Sequence, residues 1–194
     1  MRKFLIVIAF LVVAVLTSVT YHITQRSSIN YHIGRGFFTA GQYRKAIPFF
    51  ATALEEDPSS KKAARDLGLS YLWTEAPEKA APLLQETVDK DPENASLLED
   101  LADAYAWSGE HDAAIGVLRE KLRFESDFSS EKKLAEMYLW SKRYGEAETL
   151  LRAMASRYPE DKDVLLLLGR ALYYSGNSKE ASKVLEKLLE VLDE

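Results

Sequence analysis

A chain of 194 residues, 28% charged and 47% hydrophobic, suits one ordinary domain or one elongated array and is not composed like a disordered segment. It has no cysteine, which excludes disulfides, thiolate zinc sites, covalent haem attachment, a cysteine nucleophile and a lipoprotein-type anchor, while His22, His32 and His111 are too scattered for metal-ligand spacing. Arg2, Lys3 and Arg26 are the only charged residues up to position 26, so 22 basic and 30 acidic residues follow; a remainder of −8 offers no phosphate-tracking surface, and nucleic acid is not an expected partner.

The N-terminus opens with Met1-Arg2-Lys3, runs apolar from Phe4 to Leu16 and stays uncharged to Ile23. At about 1.5 Å per residue, a helix from Phe4 to Ile23 covers roughly the 30 Å of a hydrocarbon core, with Tyr21 and His22 at the interface. Residues 1–26 are therefore expected to form a signal-anchor or transmembrane segment with a short linker. A cleaved secretory signal is the competing reading, although neither Ser18 nor Thr20 gives an Ala-x-Ala cleavage pattern. In both cases Arg2 and Lys3 hold the N-terminus inside and the rest of the chain leaves the cytoplasm, into a periplasm in a Gram-negative cell.

From position 27 onward the sequence repeats. Ala46, Ala80, Ala114, Ala147 and Ala181 lie 34, 34, 33 and 34 residues apart. Twelve residues before each stands a small residue, Gly34, Gly68, Ala102, Ala135 or Gly169, and four after each stands a large one, Phe50, Leu84, Leu118, Leu151 or Leu185. Small positions let two helices approach, and large ones fill the space between them. Three residues beyond the small positions come Phe37, Tyr71, Tyr105, Tyr138 and Leu172.

This pattern resembles the tetratricopeptide repeat (TPR) family, whose unit is two antiparallel helices joined by a tight turn. The resemblance implies an all-α fold: a right-handed α-solenoid of five helical hairpins, with repeats at 27–60, 61–94, 95–127, 128–161 and 162–194, preceded by the one membrane helix. Asp57-Pro58, Asp91-Pro92 and Tyr158-Pro159 occupy the inter-repeat proline position, where the residue before proline disfavours helix. The third repeat has Glu125-Ser126 there, and the fourth arrives one residue early, which implies an altered stacking angle at that joint. Gly41, Gly109 and Gly176 fall in the intra-repeat turn, whereas Glu75 and Lys142 replace glycine in repeats two and four.

In this family the first helix of each repeat lines a concave groove, at positions one, four, eight, eleven and twelve residues after the repeat start. With starts at Ser27, Lys61, Ala95, Phe128 and Lys162, the last of these positions carries Thr39, Trp73, Trp107, Trp140 and Tyr174, which places every tryptophan of the chain there. Beside them stand Phe38, Leu72, Ala106, Leu139 and Tyr173. Such an aromatic ladder either stacks on an extended ligand, since flat rings give contact area at little rotamer cost, or simply packs over the turns. Polar lining candidates are Tyr31, Arg35, Lys62, Arg65, Glu99, Asp103, Lys132, Glu136, Asp163 and Arg170. Chaperone-binding members clamp a peptide terminus with a lysine and an asparagine on the first repeat; Tyr31 and Arg35 stand there instead, against recognition of an acidic C-terminal tail in that manner.

The last helix, from about Lys179, carries Val184, Leu185, Leu188, Leu189, Val191 and Leu192, an apolar stripe that suits self-association or a frayed amphipathic end. No catalytic, metal or cofactor site is expected, because no nucleophile elbow, phosphate loop or isolated carboxylate pair is present. Two functions remain. One is a membrane-anchored adaptor that assembles a protein complex outside the cytoplasm. The other is a glycan-binding module of an exopolysaccharide export or assembly system, for which −8 favours a neutral or cationic polymer.

Overall fold

The computed structural model describes the backbone of residues 2–193 and the side chains of 12–15, 17, 18 and 25–193. Among the described residues there are ten helices and no strand: α1 (Arg2–Thr39), α2 (Tyr43–Glu56), α3 (Lys61–Leu72), α4 (Pro77–Asp89), α5 (Ala95–Trp107), α6 (His111–Phe124), α7 (Phe128–Trp140), α8 (Tyr144–Arg157), α9 (Lys162–Tyr174) and α10 (Ser178–Asp193). The contacts group them into two compact units, Met1–Thr87 and Val88–Glu194.

Local chemistry explains where the helices start and turn. Each of α3, α5, α7 and α9 begins behind a side-chain cap: Ser60 Oγ, Asn94 Oδ1, Asp127 Oδ1 and Asp161 Oδ1 accept from the backbone N–H of Ala63, Leu97, Ser130 and Val164. At the end of each repeat's first helix a left-handed residue reverses the chain. Gly41, Gly109 and Gly176 have φ of 71°, 80° and 87°, and the N–H one residue later donates back five residues to Phe37, Tyr105 and Leu172 at 2.8–2.9 Å. Glu75 (φ 62°) and Lys142 (φ 59°) hold the same conformation, with Ala76 donating to Tyr71 and Arg143 to Tyr138. Bonding in these turns is therefore kept without glycine, at a conformational cost of about 1–2 kcal/mol per site. Glu75→Gly and Lys142→Gly are each expected to raise stability by roughly 0.5–1 kcal/mol. Unchanged or lowered urea midpoints would show that the two side chains offset that cost.

In the first unit, Phe50 is completely buried against Gly34, Tyr31 and Phe38, and Ala46, Ala53 and Leu67 complete its core. Leu84, also fully buried, covers Gly68. In the second unit, Ala102, Ala114, Leu118, Ala135, Ala147, Leu151, Met154, Val164 and Leu172 form the centre of a core that runs from α5 to α10. Leu185 covers Gly169. At the three glycine positions the small-and-large pairing of the sequence is thus a direct contact.

Two features differ from expectation. The short linker expected before Ser27 is helical: α1 runs unbroken from Arg2 to Thr39, and Ser27 is buried, its hydroxyl donating to Ala53 O at 2.9 Å. Residues 4–23 lie mostly outside the described side chains; Val12, Val13 and Val15 are exposed, and among the described residues no helix is long and apolar enough to cross a membrane. The joint between repeats three and four is also built differently. Position 27 of the repeat carries Ala53, Thr87, Met154 and Leu188 elsewhere, all buried, but here it carries Lys121, only 4% exposed. Its ammonium donates to Asp127 at 2.9 Å and to Ser130 Oγ at 2.6 Å, and lies 3.5 Å from Glu99. This cluster fastens α6 to the capped start of α7 where proline is missing.

Candidate functional site

Helix α3 ends at Leu72 and α7 at Trp140, so the ladder residues sit at the edge where each first helix enters its turn. They remain solvent-facing: Trp73, Trp107, Trp140, Tyr173 and Tyr174 are 52–63% exposed. Binding and packing are not exclusive, because four of the five are braced by a neighbouring ring. Trp73 stacks on Tyr43 (5.8 Å between centroids, 21°), Trp140 tilts against His111 (6.0 Å, 31°) and Tyr174 stacks on Tyr144 (5.2 Å, 20°). Tyr173 meets Tyr174 edge-on at 5.4 Å.

The bracing residues Tyr43, His111 and Tyr144 are each the first residue of a second helix. They lie outside the family's lining positions, which fall on first helices. A regular signal was available: Trp73, Trp140 and Tyr174 follow their braces by 30, 29 and 30 residues, the shorter interval spanning the shortened third repeat.

In the first unit Trp73 and Tyr43 face a recess of about 410 Å³ that also has Arg44, Lys45, Thr74 and Glu75 in its wall. Arg35 lies over the Phe38 ring at 5.4 Å and pairs with Asp66 at 3.3 Å. Burial, then the Asp66 charge and its hydrogen bond, push the Tyr31 hydroxyl above its usual range, which ties Tyr31 to the same acid. Arg65, half-buried on α3, contributes positive charge beside Tyr31. Lys62 is exposed.

The second unit brings four expected residues together. Trp107, Trp140, Asp103 and Glu136 line one recess of about 350 Å³ between α5, α7 and the first residue of α6, with Ala106, His111, Lys133 and Met137. Lys133 donates to Asp103 at 2.5 Å and lies 3.8 Å from Glu99; Lys132 donates to Asp163 at 2.7 Å. Both lysines are therefore engaged by neighbouring acids. Glu136 makes no hydrogen bond or ion pair among the described residues, and burial pushes its carboxyl above the ordinary range despite the fields of Lys132, Lys133 and Arg170. Arg170 itself is exposed on α9. Among the described residues, no group of histidine and carboxylate side chains is arranged to hold a metal.

Paired hairpins with capped first helices, left-handed turns and a small-to-large interlock define a helical-repeat interaction module. Models of the tetratricopeptide repeat match residues 74–124 and 138–194, and a second such model matches 31–81; the chain belongs to the tetratricopeptide repeat family. Among solved structures it is similar to a crystal structure of MamA protein (24% identity, TM-score 0.78, covering 87% of this chain and 93% of that one). A further crystal structure of MamA gives 25% identity and a TM-score of 0.74 over 83% of this chain and 95% of that one. YrrB, described as a TPR protein with an unusual peptide-binding site, gives 18% identity and a TM-score of 0.74 over 84% of each chain. At these identities the neighbours speak to the fold. A comparison with curated proteins returned no match.

Proposed function

We propose that this protein is an adaptor, tethered to a membrane through residues 4–23, that presents its repeats outside the cytoplasm to a partner protein. The observation that carries the reading is the set of solvent-facing rings, Trp73 in the first unit and Trp107, Trp140 and Tyr174 in the second, of which Trp73, Trp140 and Tyr174 are braced by a neighbouring ring. Large flat side chains held in place lose little entropy on binding, and a segment of a partner gains contact area on the rings that each unit presents. The basic start and the uncharged run to Ile23 support the tether, and retention of the intact chain in carbonate-washed membranes checks it. The exposed Leu189 and Leu192 of α10 offer a second surface, which suits self-association.

Partner capture with the full-length chain tests the reading. Changing Trp73, Trp107 and Trp140 together to alanine removes rings that are more than half exposed, so the helices are expected to persist while recovery of the partner falls at least tenfold. Capture of every partner at undiminished yield would refute the groove reading. The same rings suit a glycan, because sugars also stack on flat aromatic faces. Quenching of tryptophan emission by chitosan or dextran, with no protein captured, would move the assignment to a module for exopolysaccharide export.

A further inference from the structure

We propose that the recess between α5 and α7 is a specificity pocket for a cationic side chain, lysine or arginine, carried by the segment of a partner protein that lies along the ring-bearing edge. This assignment rests on the adaptor reading above and adds to it the chemistry of one contact. Trp107 and Trp140 occur one repeat apart, each more than half exposed, and both line the same recess of about 350 Å³. Indole faces attract ammonium and guanidinium groups through the ring quadrupole, most strongly where water is partly excluded.

The wall of the recess also supplies a carboxylate without a direct ion pair. Lys133 is held by Asp103 and Glu99, and Lys132 by Asp163, so the nearest ammonium groups are already engaged; the third cation whose field reaches Glu136, Arg170, stands exposed on α9 and makes no ion pair with it. Glu136, half-buried in the same wall, is left with no hydrogen bond or ion pair among the described residues. A half-buried carboxylate in that state has lost part of its hydration without recovering it from the protein, and its raised pKa records the same deficit. An incoming ammonium or guanidinium supplies the missing partner. The Nδ1 of His111, in the same wall, is shut off from solvent and likewise hydrogen-bonds to nothing. The charge balance agrees, since the chain beyond position 26 carries −8. An acidic segment would meet the Glu136 carboxylate in the recess wall with both lysines already engaged; a basic one meets that unpaired carboxylate in a wall shared with two indoles.

Blocked pentapeptides Gly-Gly-X-Gly-Gly titrated into the full-length chain, with indole emission as the readout, separate charge from shape. X is lysine, N-acetyl-lysine, arginine or citrulline, so each cation is matched by a neutral near-isostere. The cationic peptides are expected to bind on the order of tenfold more tightly than their neutral counterparts. The preference should shrink in high salt and disappear in Glu136→Gln, which keeps the shape and removes the charge. Equal binding of the charged and neutral members, or a preference that survives Glu136→Gln, would overturn the proposal. If that happens while partner capture still depends on Trp73, Trp107 and Trp140, the cation assignment alone falls; if capture is also indifferent to the tryptophans, the adaptor's groove falls with it. Trp107→Leu supplies an independent check, because it should lower the affinity for both cationic peptides and leave the circular dichroism unchanged.

Discussion

Truncating Phe50 to alanine is expected to destabilise the first unit by about 3–5 kcal/mol, because its ring is completely buried and fills the gap between α1 and α2. The sharper test is its fit to Gly34. A Cβ at position 34 would stand 2.7 Å from two carbons of the Phe50 ring, and a ring that buried has little room to retreat. Gly34→Ala alone should therefore cost about 1–3 kcal/mol through overpacking, and Phe50→Leu alone a comparable amount through the void it leaves. Together they restore the combination seen in other repeats, where Ala102 is matched with Leu118 and Ala135 with Leu151, all buried. The double variant is accordingly expected to lose at least 1 kcal/mol less than the sum of the singles in urea unfolding. Additivity within about 0.5 kcal/mol would mean that the two residues do not share the space attributed to them.

That pairing also shows what the sequence makes legible. The five alanines and their small and large companions are read directly from spacing, because repeats that bury a common type of contact must repeat the residues that make it. Glu75 and Lys142 could be assigned to the turn by position alone; that they adopt positive φ follows from the backbone bonds around them, which constrain the chain whatever the side chain is. Charged residues were harder to read. Arg35 with Asp66, Asp103 with Lys133 and Lys132 with Asp163 are 31, 30 and 31 residues apart, so neighbouring first helices neutralise one another, a pairing that a set of polar lining positions does not reveal. Glu136, on the same helix as Lys132 and Lys133, has no such partner among the described residues. Half of the ring arrangement was legible too: Trp73, Trp140 and Tyr174 stand out as large residues at one repeat position, but Tyr43, His111 and Tyr144 belong to second helices, and their role depends on how a turn folds back beside the next repeat.

Lys121 was hidden for a different reason: an isolated lysine in an amphipathic helix reads as solvent-facing, and its burial depends on the shortened joint that follows it. Lys121→Ala is expected to cost about 3–5 kcal/mol, since it removes the methylene stem from a 4%-exposed site and the cation from between Asp127, Ser130 and Glu99. Lys121→Met, which keeps most of the volume and copies the buried Met154 at the same repeat position, should cost less than half of that. The remaining cost is electrostatic and should depend on pH. Burial alone would raise the Asp127 carboxyl, but hydrogen bonds from Lys121 and Ser130 outweigh it and hold the group at about 2, below its ordinary 3.8. Asp127 therefore stabilises the fold fully above its unfolded pKa, by on the order of 2 kcal/mol, and this is lost as pH falls from about 4 toward 2. For Lys121, burial lowers the pKa, yet the Asp127 hydrogen bond and the charges of Glu99 and Asp127 raise it above 10.5. Its contribution is present below that value and disappears as pH climbs through the folded pKa. The stability difference between wild type and Lys121→Met should thus be flat from about pH 5 to 9 and shrink at both extremes. A difference that stays constant from pH 2 to 11 would show that Lys121 acts through packing alone.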